Sequence, residues 1–212
     1  MKNVSTILKR LLRSIAHRLR GRDRIAIRAI RPDDRELLLQ AFHALDRRSI
    51  YQRFFFHKRA LSDEELRQLT ECDGARTVVL VATIESGDQE IIVGLGQYAR
   101  RGAAAEVAFA VEEDFWGRGI ATRLLRHLVR IARVQGVSSF EADVLAENRP
   151  MLRVLRRSGL SLDECEADGV VHLTLALGDA LRQAGAPERR AIQTELRPFA
   201  HHFEAGPDYL TC

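Results

Sequence analysis

The sequence predicts an α/β fold: one domain built on a mixed, mostly antiparallel central sheet flanked by helices. Three observations predict it. Three strand-like runs, "RTVVLVATI", "EIIVGLGQYA" and "AAEVAFAV", follow one another with only "ESGDQ" and "RRGA" between them, turns of hairpin length that make an antiparallel meander. The meander leads into a strand-helix-strand pattern, "VEEDFWGRGIATRLLRHLVRIAR" and then "SSFEADVL", with helix-like segments before and after it. The chain of 212 residues is 46% hydrophobic and 29% charged, which suits one domain with a real core rather than a disordered or fibrous chain.

Residues 1–24 form a basic arm. Ile7, Leu8, Leu11, Leu12, Ile15 and Leu19 recur at helical spacing while basic side chains fill the other faces, which predicts a basic amphipathic N-terminal helix. Eight basic residues stand there against Asp23 alone, a charge of +7, which leaves −3 for the other 188 residues. The overall +4 therefore describes the arm and not the body, and no nucleic-acid partner is expected. An anionic membrane surface or an acidic partner would suit the arm, as would packing on the domain or on a second copy. It is also Arg-rich and acid-poor like an organellar targeting segment, but charges interrupt any secretory signal core.

From residue 25 to 178 the elements follow in order. "RIAIRAI" alternates like a strand, and "RPDDRELLLQAFHAL" opens with acids and continues with leucines at helical spacing. Ser62 and Glu65 form a capping box that starts a second helix. After the meander comes a long helix whose buried stripe is Ile120, Leu124, Leu128 and Ile131. "SSFEADVL" is then a strand, "ENRPMLRVLRRSG" a short helix and "VVHLTLAL" the closing strand. Residues 179–212 are polar, are broken by Pro187, Pro198 and Pro207, and read as a partly helical tail. No apolar run reaches the about 18 residues of a membrane-spanning helix. Three cysteines, odd in number and without metal-ligand spacing, predict a reducing compartment, hence a cytoplasmic protein, peripheral to a membrane at most, and no metal.

The chemistry concentrates in "WGRGIAT". Glycines at a strand-to-helix junction let an anion approach unpaired backbone N–H groups at the positive end of a helix dipole. A nucleoside triphosphate would need a lysine and hydroxyl in the G-K-[ST] arrangement, and none follows. A dinucleotide would need its first glycine close behind the strand and an acid about 20 residues on. Glu141 and Asp143 could mimic that acid, but Val111 to Trp116 separate strand from glycines, and Thr122 replaces the third glycine. The pyrophosphate of coenzyme A is the third candidate.

On these residues the segment from about Ile25 to Leu177 resembles the GNAT superfamily of acyl-CoA-dependent N-acyltransferases. The superfamily's [RQ]-x-x-G-x-[GA] signature reads Trp116-Gly117-Arg118-Gly119-Ile120-Ala121 here, departing at its first position, where Trp116 stands for Arg or Gln. Asn148 opens the next short helix and "SGL" at 158–160 closes it, as in a second signature. The resemblance implies acetyl-CoA as acyl-donor cosubstrate. It would be held by Val111, Trp116, Gly117, Arg118, Gly119, Ile120, Ala121 and Thr122, with Asn148 and Arg153 from the following helix. Asn148 would also explain itself as a helix cap, and Arg123 and Arg149 are further candidates for the phosphates.

Acyl transfer needs an unprotonated amine, a polarised carbonyl and a proton for the departing thiolate. In "AAEVAFAV", Val107, Phe109 and Val111 share one face, while Glu106 shares the other with Ala108 and Ala110, whose small side chains leave room for a substrate. Apolar walls there would raise the pKa of Glu106 and suit it as a general base. By residue type alone, a strand glutamate facing solvent is the plainer reading. The chain is most similar to the Pat-type protein lysine acetyltransferases, through "AEVAF", the segment from Ser49 to Phe55 and "ENRPMLRVLRRSGL". That resemblance implies Glu106 as base and a protein lysine as acceptor; the aromatic run Tyr51, Phe54, Phe55 and Phe56 could line the acceptor cleft, with Tyr51 and Phe55 as the substrate-binding residues and at least two of the run in the core. The family's thiolate-protonating tyrosine would fall at Leu155, so water, the substrate's own proton, Tyr51 or Tyr98 must serve. Acylation of a small amine or antibiotic, or a silent acyl-CoA sensor, are the alternative functions. His201 and His202 read as solvent-exposed.

Overall fold

The computed structural model describes residues 25–178 apart from Asp88. The arm at 1–24 and the tail at 179–212, with Tyr209, Cys212, His201 and His202, lie outside the described residues. One seven-stranded sheet organises the rest, in the order β1 (Ala26–Ala29), β2 (Thr77–Ser86), β3 (Gln89–Arg101), β4 (Ala104–Val111), β5 (Ser139–Leu145), β7 (Val170–Ala176) and β6 (Ser161–Ala167). Every neighbouring pair is antiparallel except β4 and β5.

Helices cover both faces. On one side, α1 (Arg35–Ala44), α2 (Arg47–Phe54) and α3 (Asp63–Thr70) adjoin a core of Ile30, Leu38, Phe42, Leu66, Val79, Val81 and Leu95. On the other side, α4 (Ile120–Val134) and α5 (Arg149–Arg156) meet a larger core that includes Leu80, Val107, Phe109, Leu124, Leu128 and Phe140. Strand β2 is covered on both faces, which explains why its sequence is an unbroken apolar run. The stripe expected on the long helix is buried throughout, Ile120, Leu124, Leu128 and Ile131 all being at most 2% exposed. The Ser62 and Glu65 capping box also forms, with Ser62 Oγ accepting from the Glu65 N–H.

Two elements go beyond the sequence reading. Helix α2 is a separate helix inside a segment that the sequence marks only for the later capping box. Strand β6 is an exposed edge strand whose "SLDECEA" gives almost no apolar alternation, because only Leu162 in it is partly buried against the core. Its turn was visible in principle: Asp168 and Gly169 both take positive φ, 51° and 76°, the "DG" signature of a tight hairpin.

Strands β4 and β5 pair over three positions only, Ala104 with Ser139, Ala105 with Phe140 and Glu106 with Glu141. Strand β4 then stays on β3 as far as Val111, while β5 follows β7 as far as Leu145. The two strands therefore part at Glu106 and leave a wedge between them.

Candidate active site

A groove of about 500 Å³ opens in that wedge, lined from β4 by Val107 to Val111 and from β5 by Ala142 to Val144. Its depth depends on how closely α4 lies on the sheet. A Cβ built on Gly96 would stand 3.1 Å from the Phe109 ring and 3.2 Å from Leu124 Cβ, and one on Gly94 would stand 2.9 Å from Ile120 Cγ2. The two glycines of "GLG" in β3 are what let the helix come this close.

At the mouth, β4 passes through a short 3₁₀ turn, Glu113–Phe115, which plants Phe115 in the core. Trp116 closes the loop by donating its indole N–H to the Val111 carbonyl at 2.8 Å. A tryptophan in place of the signature's first residue thus braces the loop from outside. Gly117 and Gly119 follow at φ 76° and 74°, and a Cβ on either would meet nothing within 4 Å. Gly119 is the N-cap of α4, with no side chain capping it. The first amides of α4 therefore face open space beside two bare glycines, a cradle shaped for an anion.

Of the cofactor-binding residues expected from the sequence, Val111, Trp116, Gly117, Gly119, Ile120, Ala121, Thr122, Asn148 and Arg153 all line the groove. Arg118 is not among its lining residues; its guanidinium lies over the Phe115 ring, 4.9 Å from the centroid. Arg123 is engaged by the Ile25 carbonyl at 2.8 Å. Asn148 caps α5 through the Met151 N–H at 3.3 Å and faces the groove as well.

Glu106 sits at the parting point, but its surroundings differ from those expected. In place of apolar walls it meets Arg101, brought over by the tight turn at Gly102, with Nη2 to Oε2 at 2.7 Å and both side chains more than half exposed. Tyr98 is fully buried in the larger core and donates its hydroxyl to Gln135 at 2.6 Å, so it does not reach the groove. Tyr51 packs against His57, ring centroids 5.2 Å apart. Phe55 ends α2 at φ 62°, which turns it outward to 37% exposure. Neither Tyr51 nor Phe55 lines the groove. Leu155 does, as an apolar wall.

Three residues to which the sequence reading gave no role stand at or near the site. Ser49 and Arg53, one turn apart on α2, line the groove from above. Arg53 also lines a second cavity of about 550 Å³ between α1, α2, α3 and the sheet, which contains Glu112. The Glu112 side chain is 5% exposed and accepts from the Asp114 N–H at 3.1 Å. Its acid is pushed up to about 8, first by burial and then by the charges of Asp114 and Glu113. The run "VEEDF" carried a weak signal, an acid directly after a buried strand. Ser49 and Arg53 fall inside the Pat-like segment from Ser49 to Phe55, but that resemblance assigned neither of them a role.

Among the described residues no group of His, Cys, Asp or Glu could hold a metal, Cys72 and Cys165 are free thiols, and no helix is long and apolar enough to cross a membrane.

Comparison with known proteins agrees with this architecture. A family model described as an acetyltransferase (GNAT) domain matches residues 24–161. The chain is 33% identical over 139 residues to the acetyltransferase Pat of Mycolicibacterium smegmatis, covering 63% of this chain and 40% of that protein. It is 29% identical over 129 residues to an acetyltransferase of Pseudomonas aeruginosa, covering 60% of this chain and 69% of that protein. The chain thus spans well under half the length of one relative and about two thirds of the other. Among solved structures, the GNAT domain of S. lividans PAT superposes with a TM-score of 0.64 at 32% identity, covering 71% of this chain and 89% of that one. A Salmonella typhimurium protein solved with its cofactor acetyl-CoA superposes at 0.57, covering 73% and 95%; at 19% identity this is a likeness of fold.

Proposed function

The chain belongs to the GNAT acetyltransferase family, and from that premise we propose that it moves the acetyl group of acetyl-CoA onto a primary amine, the lysine side chain of a protein. The observation that carries the reading is the wedge between β4 and β5, with an anion cradle at one end and Glu106 where the strands part. When bound, the thioester supplies an electrophilic carbonyl and a thiol leaving group. Gly117, Gly119 and the α4 N-terminus are shaped to hold its pyrophosphate, with Asn148 and Arg153 alongside. Glu106 takes the proton of the attacking amine, directly or through water. Water or the acceptor's own proton completes the departing thiol, because Leu155 offers none and Tyr98 is turned away.

A protein acceptor is supported by the likeness to Pat proteins and by the large apolar side chains left exposed. Phe55, Phe56 and Trp116 are the exposed large hydrophobic residues among those described, at the end of α2 and at the groove mouth. Exposed aromatic rings of this kind are what a docking protein covers. Phe55 and the nearby Tyr51 would then touch the substrate protein's surface rather than its lysine. A small amine is favoured by a different observation, the cavity beneath α1 to α3, which carries Glu65, Glu71, Asp73 and Glu112.

Thiol release from acetyl-CoA, measured with candidate proteins and with polyamines, separates the two acceptors. No release with any amine, despite tight acetyl-CoA binding, would make the protein an acyl-CoA sensor. With an active acceptor, Glu106→Gln should lower kcat by about 10²-fold while leaving acetyl-CoA affinity unchanged. Full turnover by a folded Glu106→Gln protein would remove Glu106 from the mechanism.

A further inference from the structure

Helix α2 turns Ser49, Gln52 and Arg53 to the groove. Ser49 is 8% exposed and its Oγ has no hydrogen-bond partner. Arg53, four residues on, is one of the side chains that line both cavities; Ala110 of β4 is another. Arg53 therefore stands where the groove and the cavity beneath α1 to α3 meet. Among the described residues no carboxylate lies within 4 Å of its guanidinium, and no hydrogen bond is donated by it. Its near neighbour is the ring of Phe54, with Cζ 4.9 Å from the centroid. Burial holds the guanidinium below the usual arginine value, and the more distant charge of Glu106 restores only part of that. Gln97, on the sheet beneath the same cavity, also has its Oε1 buried without a partner.

The fold treats Arg28, another arginine partly withdrawn from water, quite differently. Arg28 is held by Asp34 at 2.5 and 2.8 Å and by Glu90 at 2.7 and 3.0 Å, four charge-assisted contacts that compensate its desolvation. Arg53 has the desolvation without the compensation, which opposes folding. A cation kept in that state is prepared for negative charge that arrives with the substrate or develops on it. The pyrophosphate has its own cradle at Gly117 and Gly119. A second charge forms where donor and acceptor meet, on the oxygen of the reacting carbonyl, beside the stretch of β4 that has parted from β5.

We propose that Arg53 is a catalytic residue of the acyl transfer, donating a hydrogen bond to the thioester carbonyl oxygen as that oxygen gains charge, with Ser49 beside it as a second donor. This rests on the acetyl-transfer reading above. The amine nitrogen forms the new N–C bond with its lone pair, and the carbonyl π pair moves onto the oxygen facing Arg53. That pair then re-forms the C=O bond as the C–S bond breaks. Sulfur leaves with the bonding pair and takes a proton from water, while the proton lost by nitrogen passes to Glu106 and on to solvent. A charged donor already in place needs no reorganisation at the moment charge appears, and its effect is strongest away from bulk water.

The test compares wild type with Arg53→Met, similar in volume but apolar, and with Arg53→Lys, reading kcat, KM for acetyl-CoA, acetyl-CoA affinity by calorimetry, and the thermal midpoint without substrate. Arg53→Met should lower kcat by about 10²-fold, keep acetyl-CoA affinity within about twofold, and melt no lower than wild type, because a half-buried charge with no carboxylate partner has been removed. Arg53→Lys should recover part of the lost kcat. Wild-type kcat in Arg53→Met would overturn the proposal while leaving the acetyl-transfer reading intact. A variant that melts lower or fails to fold would also overturn it, marking Arg53 as a structural residue. Absence of thiol release by the wild-type protein with every amine would overturn the acetyl-transfer reading and this proposal together.

Discussion

Glu112 shows how one side chain acquires chemistry that its type does not announce. Its acid is held at about 8 against an ordinary 4.5, with burial as the first cause. The folded protein keeps that proton over a range in which the unfolded chain releases it. The stability tied to Glu112 is therefore full below about 4.5 and is lost as pH rises through about 8. Glu112→Gln should flatten this dependence. Chemical denaturation at pH 8.5 should find the variant more stable than wild type by about 3 kcal/mol, with a smaller difference at pH 5. Parallel pH profiles for the two proteins would show that Glu112 is not the group responsible. Asn148 carries two duties on one side chain. Asn148→Ala should lower stability by about 1 kcal/mol through the lost cap, and a weaker acetyl-CoA affinity on top of that would establish the contact.

At the scale of elements, the site depends on where α4 starts and how low it lies. Gly119 begins the helix in the left-handed region, where a β-branched side chain is strained whatever the space around it. Gly119→Val should lower acetyl-CoA affinity at least about tenfold, since the side chain would also enter the anion cradle; calorimetric titration reads this directly. Gly96 acts from beneath the helix. Gly96→Val must displace the Phe109 ring or Leu124, and it should destabilise the fold by about 1–3 kcal/mol. It should also raise KM for acetyl-CoA, because the cradle moves with the helix. An unchanged melting curve would mean that α4 has slack the packing does not suggest.

For the molecule as a whole, the parting of β4 and β5 opens the groove, and the acetyl-transfer reading would put donor and acceptor on its two sides. Both expected acceptor classes find support there, exposed aromatic rings for a protein and an acid-bearing cavity for a small amine. The basic arm belongs to this scale too, as a matter of sequence and charge alone. Its +7 predicts that the full chain co-sediments with anionic liposomes more than a protein starting at Arg24 does. Equal sedimentation would leave the arm without a membrane role.

Much of the fold was legible because its signals are local. The meander strands alternate or run apolar, the stripe of α4 keeps helical spacing, and glycines mark the turn into that helix. Strand β6 was not legible, because an exposed edge strand has no buried face to impose alternation. The glycine loop could be read for the same reason as α4. Gly117, Gly119 and Asn148 act through their own backbone and caps, and nine of the ten expected cofactor residues do line the groove. Tertiary structure alone decided the rest: that Glu106 meets Arg101, that Glu112 is largely buried against a cavity, and that Arg53 stands without a carboxylate partner between two cavities. What a charged side chain does depends on which neighbours and how much water surround it, and the fold sets both by joining segments far apart in the chain.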